Sequence, residues 1–522
     1  MTMLQIKHLN IIHKKDLRTI LEDFSFVLGK GDRAVIIGEE GNGKSTLLKW
    51  IADPAFVEPY AQADGERICT GERLGYLPQE FPPHEASKSI YEYFSEEECF
   101  WEQEPQQLAM LARKLHIDSG FFYSEQKTGT LSGGEKIKLQ LARLLSAQPT
   151  VLLLDEPSND IDIETLEWLE DLMLQSEIPI IYISHDETLI ERTANVIIHL
   201  EQLRRKSVSR YSIVHTTYGE YRQRREASLE KQRAEAGNER RREKIRQEKF
   251  RKIQQRVEHE QRAVSRQDPH GGRLLKKKMK AVKALEHRYE REAAEMTEMP
   301  ETEDAIFLKF GQNIRIPAGK TVLDFSVGRL TVQDGNENER ILSRNISLLV
   351  RGPEKVCIIG RNGAGKTTML KCIAGLLLKR EDIHAAYMPQ NYEEQLDMTK
   401  TPVEYLSVSG DREEQTRIRT YLGSMKYTAE EMDHPVSELS GGQKAKIFLL
   451  KMSMSGADVL ILDEPTRNFS PLSGPVIRAL LASFGGAVIS ISHDRKYIDE
   501  VCGSVYELTE NGLVKVGRSV VK

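Results

Sequence analysis

The 522 residues carry 74 Lys plus Arg against 79 Asp plus Glu, a formal net charge of −5. Length alone predicts about three domains at ~150 residues each. No run approaches the ~18 consecutive apolar residues of a membrane span and no N-terminal signal region is recognisable, which excludes an integral membrane protein and a secreted mini-protein. The five cysteines (Cys69, Cys99, Cys357, Cys372, Cys502) are odd in number and never form a CxxC pair. They read as reduced thiols of a cytoplasmic protein, with neither a disulfide framework nor a zinc module.

In chain order, the apolar run Ala34–Ile37 leads into GEEGNGKST at 38–46 and then into a helical pattern. This is the GxxxxGK[ST] phosphate-binding loop in its required context. Gly38, Gly41 and Gly43 let backbone N–H groups close around the β- and γ-phosphates, and the helix N-terminus adds its positive dipole. Lys44 supplies charge, Ser45 offers a hydroxyl to Mg²⁺, and Thr46 completes the loop. YLPQ (76–79) brings Gln79, expected to link the metal to a moving subdomain. LSGGEK (131–136) brings Ser132, Gly133 and Gly134. VLLLDE (151–156) reads as a buried strand ending in two carboxylates. Asp155 sits where a metal–water shell would be held, and Glu156 is placed to polarise an attacking water as general base. His185 closes a further apolar strand, IIYIS, and is expected to contact the γ-phosphate.

Composition then changes sharply. Residues 221–280 contain 21 Lys plus Arg and 9 Asp plus Glu, a net of +12, so the rest of the chain carries −17. From Tyr221 to about Arg262 there is no proline and one glycine, Gly237, amid good helix formers. DPHGG at 268–272 signals a turn. Beyond it Leu275, Met279, Val282, Leu285, Tyr289, Ala293 and Met296 recur by threes and fours, and the first arm offers a sparser stripe of Ile245, Phe250, Ile253 and Val257. A helical hairpin over 217–298 is predicted, separating domains at 1–216 and 299–522. Forty residues of helix reach ~60 Å. Arg266, Arg273, Lys276, Lys277, Lys278 and Lys280 flank its turn and are candidate RNA contacts, because cations that neutralise phosphates release counterions.

After the hairpin the first motif set returns in the same order. GRNGAGKTT (360–368) places Gly360, Gly363, Gly365, Lys366, Thr367 and Thr368; YMPQ brings Gln390; LSGGQK brings Ser440, Gly441 and Gly442; VLILDE brings Asp463 and Glu464; AVISIS precedes His493. Ser132 to Ser440, Glu156 to Glu464 and His185 to His493 are each 308 apart, whereas Lys44 to Lys366 is 322. The chain is a tandem duplication whose first copy carries 14 extra residues upstream of its signature.

LSGGE and LSGGQ resemble the signature of ATP-binding cassette ATPases, over nearly all the globular length. That resemblance implies two cassettes facing head to tail. By that resemblance one ATP would lie between the Lys44 loop and Ser440–Gly442, another between the Lys366 loop and Ser132–Gly134. Each signature would open a helix whose N–H groups complete the γ-phosphate cage, in a monomer whose cassettes pair intramolecularly. Two cassettes without a membrane domain and with a charged linker resemble the ABC-F family of ribosome-associated ATPases. TYGEY at 217–221 is similar to the segment where such chains leave the first cassette. The resemblance implies an α/β fold with two P-loop cassettes joined by an antiparallel helical hairpin, ATP and Mg²⁺ as cofactors, and ATP hydrolysis. It also implies ribosome binding, the linker reaching rRNA and P-site tRNA, in translation or in protection from antibiotics. The rivals are an ATPase subunit of a transporter and a DNA-associated cassette ATPase.

The chain departs from that family in places. Glu40 stands where Asn362 stands in the second copy, and a carboxylate there is expected to weaken nucleotide binding. For the adenine-stacking aromatic the first half has only His13, and 330–335 offers none. SNDID (158–162) and TRNFS (466–470) replace the usual segment behind the catalytic glutamates, with Ser470 in place of Asp, so coupling between sites is expected to be asymmetric. With 51 residues between Gln79 and Leu131, an arm inserted in the first cassette is not expected. Nor is a C-terminal coiled coil. The linker tip is short for an antibiotic-displacing member.

Overall fold

The computed structural model describes residues 2–203, 208–263, 277, 279–285, 287–289, 291, 316–333 and 339–517. Its contacts divide the chain into two units, Met1–Tyr218 with Glu303–Lys522, and Gly219–Thr302.

The first unit holds both cassettes. In the first, β1 (Thr2–His13) lies between β2 (Thr19–Gly29) and β4 (Ala61–Ile68) in an antiparallel sheet. A second sheet, in the order β5-β6-β7-β3-β8-β9, is built from β3 (Arg33–Ile37), β5 (Leu74–Leu77), β6 (Val151–Asp155), β7 (Ile180–Ile183), β8 (Val196–Leu203) and β9 (Val208–His215). Only β9 runs antiparallel to its neighbour. The parallel strands are apolar along their whole length because both faces are covered, and β6 is buried at every position. Leu47, Leu48 and Ile51 of the helix Lys44–Ala52 pack between the two sheets.

The second cassette repeats this plan. β10 (Thr321–Gln333) pairs with β11 (Glu339–Arg351). The main sheet, β13-β14-β15-β12-β16-β17, comprises β12 (Lys355–Ile359), β13 (Ala385–Met388), β14 (Val459–Asp463), β15 (Ala487–Ile491), β16 (Ser504–Thr509) and β17 (Gly512–Val516). The two strand orders correspond one to one, so the duplication is one of topology. Lys44 to Gln79 spans 35 residues where Lys366 to Gln390 spans 24. Eleven of the 14 extra residues therefore fall in the β4 region, which has no counterpart among the described residues of the second cassette. In both sheets the central strand (β3 or β12) precedes the phosphate loop, and ligands of such sheets bind at the carboxyl ends of the strands around it. All five cysteines are free thiols.

The second unit continues the helix Tyr218–Ala263, 46 residues and ~69 Å long. Residues 277, 279–285, 287–289 and 291 are helical and return against it. The Phe250 and Tyr289 rings stand 5.9 Å apart edge to face, and the Arg246 guanidinium lies over Tyr289 at 5.2 Å. The arms are therefore antiparallel. Val257 and Val282 are buried as the stripes predict, but Ile245 (49%) and Ile253 (45%) are exposed. Phe250 and Val257, seven residues apart, share a face, and Ile253 lies between them at its exposed edge; Ile245 is rotated away from it. The turn at 268–272, Leu275, Ala293 and Met296 lie outside the described residues. Among the described residues, no helix is long and apolar enough to cross a membrane.

Candidate functional site

Both phosphate loops turn from a central strand into a helix through a glycine N-cap in left-handed backbone, Gly43 (φ 85°) and Gly365 (φ 96°). A Cβ is disfavoured in that conformation. Lys44 and Lys366 are each 8% exposed and fold back on their own loops. Lys44 Nζ donates to the carbonyls of Gly38 (2.9 Å) and Glu39 (3.2 Å), and Lys366 Nζ to those of Gly360 (2.7 Å) and Arg361 (3.0 Å). Burial lowers the pKa of both ammonium groups; the carboxylates behind them, Glu156 and Glu464 foremost, oppose that shift. Each lysine thus holds, through its own loop carbonyls, a place that phosphate oxygens can take over.

The acidic pairs lie at the ends of β6 and β14. Ser45 Oγ donates to Asp155 Oδ1 (3.0 Å) and the Tyr76 hydroxyl to Oδ2 (3.4 Å). Burial pushes Asp155 up to about 6, with Glu156 adding to the shift. Asp463 is likewise pushed up to about 6 by burial, and both its carboxylate oxygens are buried with no hydrogen-bond partner among the described residues. Two orphaned oxygens beside Thr367 are what a cation site without its cation should show, so the residues fit Mg²⁺. Glu156 and Glu464 both have left-handed backbone (φ 52°). Burial, reinforced by Asp463, pushes Glu464 up to about 8.

The two halves meet head to tail. Lys366, Thr367 and Thr368 of the second cassette and Ser132 and Gly133 of the first line one cavity of about 840 Å³. Gly363, Gly365, Gln390, Asp463, Glu464 and His493 complete its second-cassette side. Gly360 opens the loop behind it, and Gly134 is the second residue of the helix Gly133–Ser146. Ser132 caps that helix: its Oγ accepts from Glu135 N, while Glu135 Oε2 accepts from Ser132 N (2.8 Å). The first N–H groups of the helix, which have no intrahelical partner, face an anion's place.

At the matching Lys44 site the phosphate loop meets the opposite signature, with a gap of about 30 Å³ between Glu39, Glu40, Ser440 and Gly442. The Glu40 carboxylate accepts from the N–H of Gly442 and lies against Gly441; Glu39 pairs with Lys426. Ser440 caps the helix Gly441–Ser455 as Ser132 caps its own. Glu40 is thus seated on the second signature, and Gly38, Gly41, Ser45 and Thr46 lie behind it. Gln79 is exposed beyond β5, whereas Gln390 faces the open cavity.

The histidines differ in the same sense. His185 Nε2 is 3.0 Å from Glu156 Oε1, and its Nδ1 donates to the carbonyl of Phe469 in the other cassette (2.8 Å). His493 Nε2 is 3.8 Å from Glu464 Oε1, its Nδ1 is buried without a partner among the described residues, and burial lowers its pKa to about 3. Behind them, Asp162 caps the helix Ile163–Leu174 and accepts from Asn362 N (3.4 Å), while Ser470 turns back to Ser473 Oγ (2.8 Å). Asn362 Nδ2 donates to the Asp160 carbonyl (2.6 Å) and Arg467 pairs with Asp160 (2.7 Å).

Some cavity residues escaped sequence reasoning. Val332, Arg340 and Leu342, from the β10–β11 pair, wall the open cavity on the side where a stacking aromatic was sought. The alternation of β11 was their only signal. In the first half His13 bonds Asp16 (2.8 Å). In the hairpin, Lys277 and Lys280 are exposed, and Arg266, Arg273, Lys276 and Lys278 lie outside the described residues.

The pattern of the family described as "ABC transporter" matches residues 21–159 and 343–467, just over half of the chain. The chain is similar to "ABC transporter F family member 5" of Arabidopsis thaliana, 26% identical over 548 residues that cover 95% of this chain and 73% of that protein. It is similar to "Ribosome protection protein VmlR" of Bacillus subtilis (strain 168), 27% identical over 97% of this chain and 87% of that one. Among solved structures, the complex of archaeal ribosomal stalk protein aP1 and archaeal ribosome recycling factor aABCE1 shares the fold. Its TM-score is 0.56 at 18% identity, covering 98% of this chain and 90% of that one. With the family pattern matched in both halves and these relatives aligned over nearly the whole chain, the chain belongs to the ABC-F family of ATP-binding cassette proteins and is an ATPase.

Proposed function

We propose that this ATPase acts on the ribosome, closing its cassettes on ATP and carrying its basic helical hairpin to rRNA and P-site tRNA. The observation that carries the reading is the charge distribution. A net +12 is confined to residues 221–280 of a chain that is otherwise −17, so RNA contact falls to the hairpin. The names of relatives such as "Ribosome protection protein VmlR" support it. The physiological outcome is modulation of translation or protection from ribosome-targeting antibiotics.

In the proposed reaction the loop N–H groups and Lys44 or Lys366 hold the β- and γ-phosphates. The opposite signature, Ser440–Gly442 or Ser132–Gly134, cages the γ-phosphate. Glu156 or Glu464 takes a proton from the attacking water as its oxygen bonds to phosphorus and the bond to ADP breaks; His185 or His493 contacts the γ-phosphate. Ser45 with Asp155, and Thr367 with Asp463, reached by Gln79 and Gln390, would hold Mg²⁺, which would supply charge neutralisation at the phosphate oxygens. Hydrolysis releases the halves.

The test is a sucrose gradient of the Glu156→Gln/Glu464→Gln variant with ATP. Co-sedimentation with ribosomes is expected. A variant left at the top of the gradient overturns the proposal, and one that fractionates with membranes favours a transporter subunit. Minimum inhibitory concentrations in a drug-sensitive host then separate protection from a role in translation.

A further inference from the structure

Bordering the nucleotide sites, where Asp186 and Asp494 line the open cavity, the cassettes are joined by two buried ion pairs whose polarity is exchanged. Glu170 (2% exposed) takes both Nη atoms of Arg495 (4%) in a bidentate contact. Glu187 (3%) takes Arg478 (2%) in the same way, at 2.9 and 3.3 Å. Residue 478 is the 308-offset counterpart of 170, and 495 that of 187. The two pairs are therefore one contact seen twice about the pseudo-twofold axis, with both carboxylates on the first cassette and both guanidiniums on the second. The surroundings follow the pairs. Arg192 also meets Glu170 (2.6 Å), Lys496 meets Glu187 (3.1 Å) and Glu191, Glu500 meets Arg478 (2.7 Å), and Asp186 stands 3.7 Å from Arg495. Arg495 opens the helix Arg495–Val501, an end that disfavours a cation. Its place is explained by the carboxylate across the interface and not by its own helix.

Pairing like with like gives a different result. Two first cassettes in this arrangement would set Glu170 against Glu187 twice, and two second cassettes would set Arg478 against Arg495. Buried charges without a counter-charge are strongly destabilising, and a wrong partner is rejected most effectively by such repulsion. We propose that Glu170, Glu187, Arg478 and Arg495 are a pairing code: this surface accepts one first cassette against one second cassette of this chain and refuses either against its own kind. The inference is independent of the ribosome.

The test uses full-length chains. Glu170→Arg/Glu187→Arg makes an all-cation interface, and Arg478→Glu/Arg495→Glu an all-anion one. Each alone is expected to stay at the 59.5 kDa of one chain by light scattering, with an increased radius of gyration. Mixed in equal amounts, they should form a 1:1 complex of twice that mass, at least tenfold tighter than either self-association. Its two interfaces are one of native polarity and one reversed. The quadruple exchange should return to a compact single chain, which guards against simple misfolding because Arg192 and Glu500 are half-exposed and can turn to water. Double variants as compact as the parent, or a mixture that stays at the mass of one chain while the quadruple variant is folded, overturn the proposal.

Discussion

The Glu40 carboxylate of the first phosphate loop accepts a hydrogen bond from the backbone N–H of Gly442, in the signature of the other cassette. In the proposed reaction a bound γ-phosphate takes that same N–H, so nucleotide would have to evict a side chain before being caged. A hydrogen bond to a charged group contributes ~1.5–3 kcal/mol. Glu40→Asn, which copies the second loop, should therefore tighten nucleotide at the Lys44 site by roughly tenfold or more. Calorimetric titration of this variant in a Lys366→Ala background checks it; unchanged affinity counts against the eviction.

The histidines should separate cleanly. His185→Ala breaks a bond to the Phe469 carbonyl across the interface as well as the contact with Glu156, whereas His493 Nδ1 has no partner among the described residues. Both variants should slow ATP hydrolysis. Only His185→Ala should weaken cassette association, by ~1 kcal/mol, which interdomain fluorescence transfer in the absence of nucleotide would report.

Glu464 gives a pH dependence of stability in nucleotide-free, chelator-treated protein. Its carboxyl is raised from 4.5 to about 8 by burial, so between these values the folded state holds a proton that the unfolded state has lost. The contribution of the group is most favourable below about 4.5 and is lost as pH rises through about 8. Glu464→Gln cannot ionise. Its melting temperature should exceed the parent's by a margin that grows from pH 5.5 to 8.5, and calorimetry at a series of pH values would show it. A constant margin would contradict the shift.

How much of this was legible beforehand follows from what constrains each residue. Phosphate chemistry fixes identity and spacing together, so Lys44, Ser132 and Glu156 and their repeats stand out from sequence. Glu40 was visible as a departure, but that it sits on Gly442 was not, because the partner is 402 residues away. The pairs Glu170–Arg495 and Glu187–Arg478 join residues 325 and 291 apart, which no local spacing marks. Val332, Arg340 and Leu342 carry no chemistry that spacing could reveal.

Tyr218 is fully buried, and its hydroxyl donates to the carbonyl of Pro471 in the second cassette, seven residues after Glu464 (3.1 Å). Tyr218→Phe keeps the ring and deletes that bond, at a cost of about 1 kcal/mol. Basal ATP hydrolysis should persist while stimulation by ribosomes falls severalfold. Steady-state phosphate release with and without ribosomes checks both halves.

Lys277 and Lys280 are exposed on the return arm. Replacing both by alanine should weaken ribosome binding and lower the slope of log affinity against log salt by about 2. Affinities measured at several potassium concentrations would give the slope; basal hydrolysis should not change.

The exchanged charges also bear on synthesis. The first cassette leaves the ribosome 308 residues before its counterpart, an interval of roughly 15–60 s at ~5–20 residues per second. For that time its pairing face is bare, and neighbouring ribosomes on one message present identical faces at high local concentration. Carboxylate facing carboxylate keeps those nascent chains apart until each has made its own guanidiniums.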